Sequence, residues 1–140
     1  MPDKKMIETL IAQAISMTKR SYAPYSKFQV GAALLAKDGG IFTGCNIENA
    51  AYTPTNCAER TAFFKAVSEG VTEFSAIAVV GGAKGVLTGY TAPCGVCLQV
   101  MMEFCDPESF RIILATDLEH YEVKTLKELL PKGFGPANLA

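Results

Sequence analysis

Three cysteines in two separate stretches of the chain could bind one metal ion. Cys57 stands in the run Cys-Ala-Glu-Arg, and Cys94 and Cys97 stand in the run Pro-Cys-Gly-Val-Cys. Thiolates are soft, anionic ligands that suit Zn²⁺, and three protein ligands leave a fourth position for water, as in catalytic zinc sites. Glu59, two residues after the first thiol, is placed to carry a proton to and from such a water. This pattern predicts zinc-activated hydrolysis of a small molecule.

Both cysteine groups fall at the predicted starts of helices. Free backbone N–H groups and the helix dipole favour anions there and lower the pKa of a thiol. Cys94 and Cys97 are three residues apart, so both can reach one ion from a single helical turn. Arg60 lies three residues after Cys57, and we expect it to donate hydrogen bonds to the thiolates and to offset their charge. The short spacing between Glu59 and Cys57 requires Cys57 to lie at the junction of loop and helix.

Some of these residues also fit ordinary structural roles. A Cys-x-x-Cys pair alone fits a thioredoxin-type redox centre. Glu59 is also favoured in a first helical turn by the dipole alone, and Arg60 also fits a surface side chain. Cys45 and Cys105 lack metal-ligand spacing, so we predict that both are small buried residues. The single histidine, His120, follows a polar turn and is predicted at the surface, which leaves cysteine for all three ligands.

Length and composition are those of one globular domain. The chain has 140 residues, 49% of them hydrophobic, and we expect residues 1–140 to form a single domain with its own core. A formal net charge of −1 gives no overall attraction to nucleic acid or to an anionic membrane. No segment approaches the roughly 20 apolar residues of a membrane span, and the N-terminus lacks a secretory signal pattern. Five cysteines, an odd number, fit metal-bound thiolates in a reducing cytoplasm better than a disulfide framework.

The hydrophobic pattern predicts alternating helices and strands that would position these residues. Helices are predicted over about residues 3–19, 57–69, 94–104 and 125–131. Strands are predicted over about residues 27–36, 41–45, 75–80, 110–115 and 121–123. This order favours an α/β fold with three layers, α/β/α, around a central mixed five-stranded sheet. Strands joined through helices should run parallel, so the N-termini of the two cysteine-bearing helices should meet where ligand crevices form in open α/β sheets.

Further motifs extend along nearly the whole chain. They are YSKFQVGAA at 25–33, TGCNIENAAY at 43–52, CAER at 57–60, PCGVCLQV at 93–100 and LLP at 129–131. A Cys-x-Glu followed at a distance by Pro-Cys-x-x-Cys is a general signature of zinc deaminases that act on nucleobases. Together the motifs closely resemble the short, homotetrameric class of zinc-dependent cytidine deaminases. Variable stretches remain at the N-terminus, at 83–90 and at 119–123.

The resemblance implies an enzyme of pyrimidine salvage that hydrolyses cytidine and 2′-deoxycytidine to uridine and 2′-deoxyuridine and releases ammonia. It implies one Zn²⁺ per subunit, attack of the activated water at C4 of the base, and Glu59 as the carrier of protons to N3 and to the departing amine. Asn46 and Glu48 would hold the ribose hydroxyls, and the backbone N–H of Ala58 would lie near the pyrimidine carbonyl oxygen. Phe28 would pack against the ring, although its place at the start of an apolar strand also fits the core.

The same resemblance implies a cytoplasmic homotetramer whose active sites lie at subunit interfaces. Ala50 and Tyr52 would reach a neighbouring site, and Phe134 would cap the base across an interface. From residue type alone, Asn46 and Glu48 also fit a turn and a solvated edge. The full run Cys-Asn-Ile-Glu-Asn-Ala is what favours the sugar-binding role.

Three other functions compete with this interpretation. A deaminase of another aminopyrimidine nucleoside, such as the blasticidin-type antibiotic deaminases, would share the zinc ligands and the closing Leu-Leu-Pro, but Asn46 and Glu48 favour an ordinary ribose. A polynucleotide editor is disfavoured because the chain is short, slightly negative and without a basic stripe with aromatics. A non-catalytic zinc module would need a fourth cysteine or histidine ligand, which no motif offers.

Overall fold

A five-stranded mixed sheet carries helices on both faces in the computed structural model, which describes residues 1–140. The strands are β1 Phe28–Ala36, β2 Ile41–Cys45, β3 Phe74–Ala83, β4 Arg111–Ala115 and β5 Tyr121–Thr125. The helices are α1 Lys4–Thr18, α2 Ala58–Ser68, α3 Gly95–Phe104 and α4 Leu126–Leu129, with a 3₁₀ turn at Pro136–Leu139. The predicted three-layer α/β/α architecture is confirmed. None of the helices combines the length and the apolar character that a bilayer crossing requires.

The sheet has the strand order β2-β1-β3-β4-β5. Strand β1 pairs antiparallel with both β2 and β3, β3 pairs parallel with β4, and β4 pairs antiparallel with β5. Because β2 and β3 both run opposite to β1, they are parallel to each other. Helix α2 follows β2 and helix α3 follows β3, so both helices begin at the same edge of the sheet. The predicted meeting of the two cysteine-bearing helix starts is therefore present.

The sheet separates two apolar cores. Ala32 and Leu34 of β1 face the larger core beneath α2, α3 and α4, whereas Ala33 and Leu35 face the smaller core beneath α1. All four side chains are buried, so β1 is covered on both faces as its sequence predicts. Phe63 of α2 is completely buried at the centre of the larger core.

Two glycines allow helix backbones to approach the sheet closely. A Cβ atom at Gly31 would lie 1.9 Å from the carbonyl oxygen of Ala14 in α1. A Cβ atom at Gly44 would lie 2.4 Å from the carbonyl oxygen of Ala58, the first residue of α2. Both distances are far inside van der Waals contact. Gly44 therefore sets the distance between β2 and the first turn of α2.

Some element boundaries differ from the predicted ones. Strand β3 continues through Gly81 and Gly82 to Ala83, because these residues keep pairing with the first residues of β1; glycine retains both backbone hydrogen-bonding groups. Helix α4 ends at Leu129, because Pro131 disfavours a helical conformation for the residue before it. The sequence pattern also missed the 3₁₀ turn near the C-terminus.

Candidate metal centre and active site

The structure brings the three sequence-predicted thiols together. Cys57 is the N-cap of α2, Cys94 is the N-cap of α3, and Cys97 lies in the first turn of α3. Their sulfur atoms all lie within 4.8 Å of one another, and the Sγ atoms of Cys57 and Cys94 are 3.7 Å apart. None of them forms a disulfide. The meeting of two helix N-termini has therefore gathered three potential thiolate ligands.

The spacing of the sulfurs fits a tetrahedral zinc ion. Zn–S bonds are about 2.3 Å long, so adjacent ligands of a tetrahedral site lie about 3.8 Å apart. The distance of 3.7 Å between the Sγ atoms of Cys57 and Cys94 matches that edge. Soft thiolate ligands select zinc over hard cations such as Mg²⁺. The donor set and its geometry are suited to three-cysteine zinc coordination with one position left for another ligand.

Neighbouring hydrogen bonds favour negative charge on Cys57. The hydrogen bond from Cys97, together with one from Arg60, lowers the pKa of Cys57 to about 5. The same bond and burial raise the pKa of Cys97, because Cys97 is the donor. Nη2 of Arg60 donates to the sulfur of Cys57 at 3.3 Å, whereas Nε of Arg60 is buried without a partner. The guanidinium is thus the cation that faces the thiols.

Glu59 is a buried carboxyl group beside the thiols. Only 4% of its surface is exposed, and it lines the same cavity as Cys57 and Cys94. Burial, reinforced by the negative charge of Cys57, raises the pKa of Glu59 to about 7. Because Cys57 caps the helix rather than lying inside it, a separation of two residues still puts both side chains at one cavity.

The cavity at the thiols has a volume of about 160 Å³. Its walls include Asn46, Ala58 and Glu59, which the sequence motifs had singled out. The backbone N–H of Ala58 belongs to the first helical turn, where no intrahelical acceptor is available. Five wall residues were not predicted: Val30, Thr55, Asn56, Thr91 and Ala92. Four of these come one to three residues before a cysteine ligand, and that adjacency was the signal that could have found them.

Two further cavities flank the one at the thiols. A cavity of about 280 Å³ is lined by Glu48 and Tyr52 and shares Thr55 with the central cavity. On the other side, a cavity of about 330 Å³ is lined by Phe28 and shares Thr91 with it. The three cavities are neighbours through these shared residues, and the name cleft is used for the three together. Glu48 and Phe28 therefore lie at its two ends and not at the thiols themselves.

Asn46 is held by hydrogen bonds to the first residues of β1. It is 9% exposed, and its Oδ1 accepts a hydrogen bond from the backbone N–H of Val30 at 2.9 Å. Its Nδ2 donates to the carbonyl oxygen of Phe28 at 2.8 Å. The side chain thus pairs with β1 as a further backbone unit would, which fixes the orientation of the amide.

Glu48 is held by the turn that precedes β1. Its Oε1 accepts hydrogen bonds from the backbone N–H groups of Tyr25 at 2.9 Å and Ser26 at 3.1 Å. The hydroxyl of Ser26 donates to Oε2, and this bond is the main reason that the pKa of Glu48 lies below its ordinary value. The carboxylate is therefore charged and pre-oriented at its end of the cleft.

The residues expected to act across an interface lie on the surface. Tyr52 is 71% exposed, has a left-handed backbone with φ of 63°, and packs edge-on against the ring of Tyr25. Ala50 is also exposed. Phe134 is 56% exposed, and its carbonyl oxygen accepts a hydrogen bond of 2.8 Å from the side chain of Gln99. Neither Ala50 nor Phe134 lines the central cavity of its own chain, so their action on a neighbour's site stays a prediction.

The remaining titratable candidates have the positions that the sequence predicts. Cys45 and Cys105 are both buried, and burial raises the pKa of each thiol. His120 is exposed, and its ring hydrogen-bonds to Asp117 three residues earlier. Cys45, Cys105 and His120 do not belong to the group of potential metal ligands.

Residues 4–112 match the family model described as "Cytidine and deoxycytidylate deaminase zinc-binding region". The chain belongs to this family. The match covers both cysteine stretches and the Asn46–Glu48 segment, and so includes the whole central cavity. As a member of the family, the chain is an enzyme of the hydrolytic deaminase type.

Individual relatives cover nearly the whole chain. It is 51% identical over 134 residues to the cytidine deaminase of Sporosarcina psychrophila, a match of 96% of this chain and 95% of that protein. The crystal structure of cytidine deaminase from Burkholderia pseudomallei has a TM-score of 0.80 and 46% identity, covering 90% of this chain and 97% of that one. The cytidine deaminase of Mycobacterium tuberculosis has a TM-score of 0.78 and 36% identity, with 96% and 99% covered. The family resemblance seen in the motifs is confirmed.

Proposed function

We propose that this chain catalyses the hydrolytic deamination of cytidine and 2′-deoxycytidine to uridine and 2′-deoxyuridine, with release of ammonia, as a step of pyrimidine salvage. The observation that carries the proposal is one cavity in which three cysteine sulfurs and the buried carboxyl of Glu59 meet. Membership of the deaminase family supplies the reaction class.

Cys57, Cys94 and Cys97 would hold one zinc ion per subunit. A bound zinc ion supplies Lewis acidity, which makes hydroxide available from water near neutral pH. Arg60 stabilises the negative charge of the sulfurs through its hydrogen bond to Cys57. The metal ligands lie on two helix starts that the sheet fixes, so the cysteines are positioned by rigid elements.

Glu59 would move protons during the reaction. It takes a first proton from the attacking water and delivers it to N3 of the cytosine ring as oxygen bonds to C4. It then takes the second proton from that oxygen and delivers it to the amine as the bond between C4 and the amine nitrogen breaks. Water and substrate together supply every atom of the uridine and ammonia that result. Burial of the carboxyl in the cavity keeps competing water away from these transfers.

The rest of the cleft would bind the nucleoside. The free N–H of Ala58 at the start of α2 is a donor for the pyrimidine carbonyl oxygen. Phe28 would pack against the base, while Asn46 and Glu48 would hold the ribose hydroxyls. A charged carboxylate at Glu48 accepts a hydroxyl proton well and repels a phosphate, which favours nucleosides over nucleotides.

We further propose a cytoplasmic homotetramer whose subunits each form one domain over residues 1–140. A single sheet lies against both apolar cores, which supports one folding unit. Large exposed aromatic side chains support burial by neighbouring subunits: Tyr22, Tyr25, Phe28, Tyr52 and Phe134. Five unpaired cysteines suit a reducing compartment.

The proposal is tested by an ultraviolet assay of purified protein against cytidine, 2′-deoxycytidine and blasticidin S, with zinc measured on the same sample. We expect turnover of both nucleosides and about one zinc per chain. Zinc-loaded protein that leaves both nucleosides unchanged would contradict the proposal, and turnover of blasticidin S alone would reassign the substrate.

The role of Glu59 is tested by Glu59→Gln. Because the amide cannot carry the proton, kcat should fall by about 10²- to 10⁴-fold, while zinc content and the thermal melting temperature stay unchanged. Glu69→Gln is the matched control, since Glu69 is exposed at the other end of the same helix. An active Glu59→Gln enzyme would exclude the proton-carrier role.

A further inference from the structure

Ser21 contacts the buried Asn46 from outside the family motifs. It lies between α1 and β1, and its hydroxyl donates a hydrogen bond to Oδ1 of Asn46 across 25 positions of the sequence. Asn46 in turn lines the central cavity. Ser21 itself does not line that cavity, so any influence it has on a ligand passes through Asn46.

The hydrogen bonds of Asn46 leave one group free. A carboxamide offers two lone pairs on its oxygen and two N–H donors. The hydroxyl of Ser21 and the N–H of Val30 occupy both lone pairs of Oδ1. The carbonyl oxygen of Phe28 takes one of the two N–H donors. A single N–H therefore remains, and Asn46 can offer the cavity a donor but no acceptor.

We propose that Ser21 is a positioning residue that makes Asn46 a donor-only group, so that the site selects an uncharged sugar oxygen able to accept that hydrogen bond. The inference rests on the proposed function, in which Asn46 holds the nucleoside sugar. The hydrogen bond from Ser21 is the third bond to this amide, and it occupies the lone pair of Oδ1 that water would otherwise bind. The backbone bonds to Val30 and Phe28 set the orientation of the amide. The bond from Ser21 leaves one N–H donor as the only group that the amide offers to the cavity.

Removal of the Ser21 hydroxyl should weaken substrate binding and leave the chemistry intact. In Ser21→Ala the oxygen of Asn46 regains a lone pair, which water can fill, and the amide loses one of its three bonds. Glu59 and the three thiols are untouched. We expect KM for cytidine to rise about three- to tenfold, the size of one net hydrogen bond, with kcat within about twofold of the wild type.

Three variants separate positioning from plain stability. Ser21→Thr keeps the hydroxyl, so its KM should equal that of the wild type. Ser21→Cys has a weaker donor, so its KM should lie between those of the wild type and Ser21→Ala. Ser21→Cys also takes the place of Ser21→Ala if the alanine variant does not fold. Ser68→Ala is the matched control, because it removes a hydroxyl that bonds only the carbonyl oxygen of Lys65 on the outer end of α2. A KM unchanged in Ser21→Ala and Ser21→Cys, or a fall in kcat alone, would overturn the inference.

A second measurement does not depend on turnover. In ¹⁵N–¹H spectra of the zinc-loaded wild type, one Nδ2 proton of Asn46 should exchange slowly with water and the other quickly, and uridine should shift the fast one. In Ser21→Ala both should exchange faster. Two equally protected protons, or no response to uridine, would contradict the donor-only assignment. Wild-type enzyme without cytidine turnover would overturn the proposed function and, with it, this inference.

Discussion

At the scale of single residues, the site depends on charge balance around three sulfurs. Three thiolates give a zinc site a net charge of about −1, which weakens it as a Lewis acid. The guanidinium of Arg60, bonded to Cys57 at 3.3 Å, is the compensating cation. Lysine would present a point charge without the planar fork of N–H donors that a guanidinium offers.

Arg60→Gln should therefore weaken zinc binding. The amide removes the positive charge, and we expect about a 10- to 100-fold loss of zinc affinity, as is usual when a group that supports a metal ligand is lost. Zinc remaining after dialysis against a graded chelator measures the effect. Lys65→Gln, a cation of the same helix that bonds the carbonyl of Thr43, is the control. Equal zinc retention in wild type and Arg60→Gln would exclude charge compensation.

At the scale of elements, the position of α2 depends on its contact with β2. A Cβ at Gly44 would meet two backbone atoms of α2, the oxygen of Ala58 at 2.4 Å and the nitrogen of Ala62 at 2.7 Å. Backbone atoms cannot rotate away as a side chain can. The first turn of α2 carries both a thiol and Glu59, so its height above the sheet determines the geometry of the site.

Gly44→Ala should disturb both stability and metal binding. Overpacking against backbone costs about 1–3 kcal/mol, and the displaced helix start should lower zinc affinity in the same variant. Urea unfolding and zinc titration measure the two effects. Gly89→Ala is the control, because a Cβ there would meet nothing within 4 Å. Wild-type values in Gly44→Ala would show that α2 is not positioned by this contact.

Helix α4 is a separate case, because it is too short to be stable without its cap. The Oγ1 of Thr125 accepts from the N–H of Glu128 at 3.1 Å, and Oε1 of Glu128 accepts from the N–H of Thr125 at 2.9 Å. These two bonds form a capping box, for which Thr-x-x-Glu is the typical sequence. Hydrogen bonds from Thr125 also hold the pKa of Glu128 below its usual value.

Thr125→Ala should lower the free energy of unfolding by about 1 kcal/mol, the usual contribution of an N-cap. The lowered pKa of Glu128 means that the unfolded state binds its proton more readily, so the stabilisation by this carboxylate is present at neutral pH and lost as pH falls through the folded-state pKa. Urea unfolding at pH 7 and pH 4 measures both effects. Thr72→Ala, on an exposed loop, should leave stability unchanged.

At the scale of the whole molecule, large aromatic side chains remain exposed to solvent on a single subunit. Tyr52 and Phe134 are exposed by 71% and 56%, and aromatic side chains of this size contribute substantial contact area when a neighbouring subunit covers them. The left-handed backbone of Tyr52 adds strain of the kind found at functional sites. Contact with a neighbouring subunit would account for both features.

Mixing two variants with different defects, one in proton transfer and one in capping of the base, tests whether sites are shared between subunits. If Phe134 caps a neighbour's base, Glu59→Gln and Phe134→Ala subunits reassembled together should form hybrid sites with an intact Glu59 from one chain and an intact Phe134 from the other. Activity should then exceed that of either variant alone. Phe134→Ala protein that is dissociated and reassembled alone is the control. No recovery, or a monomer by sedimentation with normal KM for cytidine, would exclude sharing.

The sequence by itself determined the elements and the chemistry of the site. The apolar run of β1 and the Thr-x-x-Glu pattern of the capping box at Thr125 are local signals, because each depends on residues a few positions apart. Cys57, Cys94 and Cys97 were identified by residue type and spacing, and the α/β/α layering followed from the order of the elements.

The tertiary structure alone decided how closely residues far apart in the chain approach one another. The sulfurs of Cys57 and Cys94 are 37 residues apart in the chain and 3.7 Å apart in space. The bond from Ser21 to Asn46 and the extension of β3 beyond Gly81 likewise join segments with no local pattern between them. A hydrogen bond or a van der Waals contact depends on distance in space, and distance in space between remote residues is fixed only when the sheet and both cores assemble.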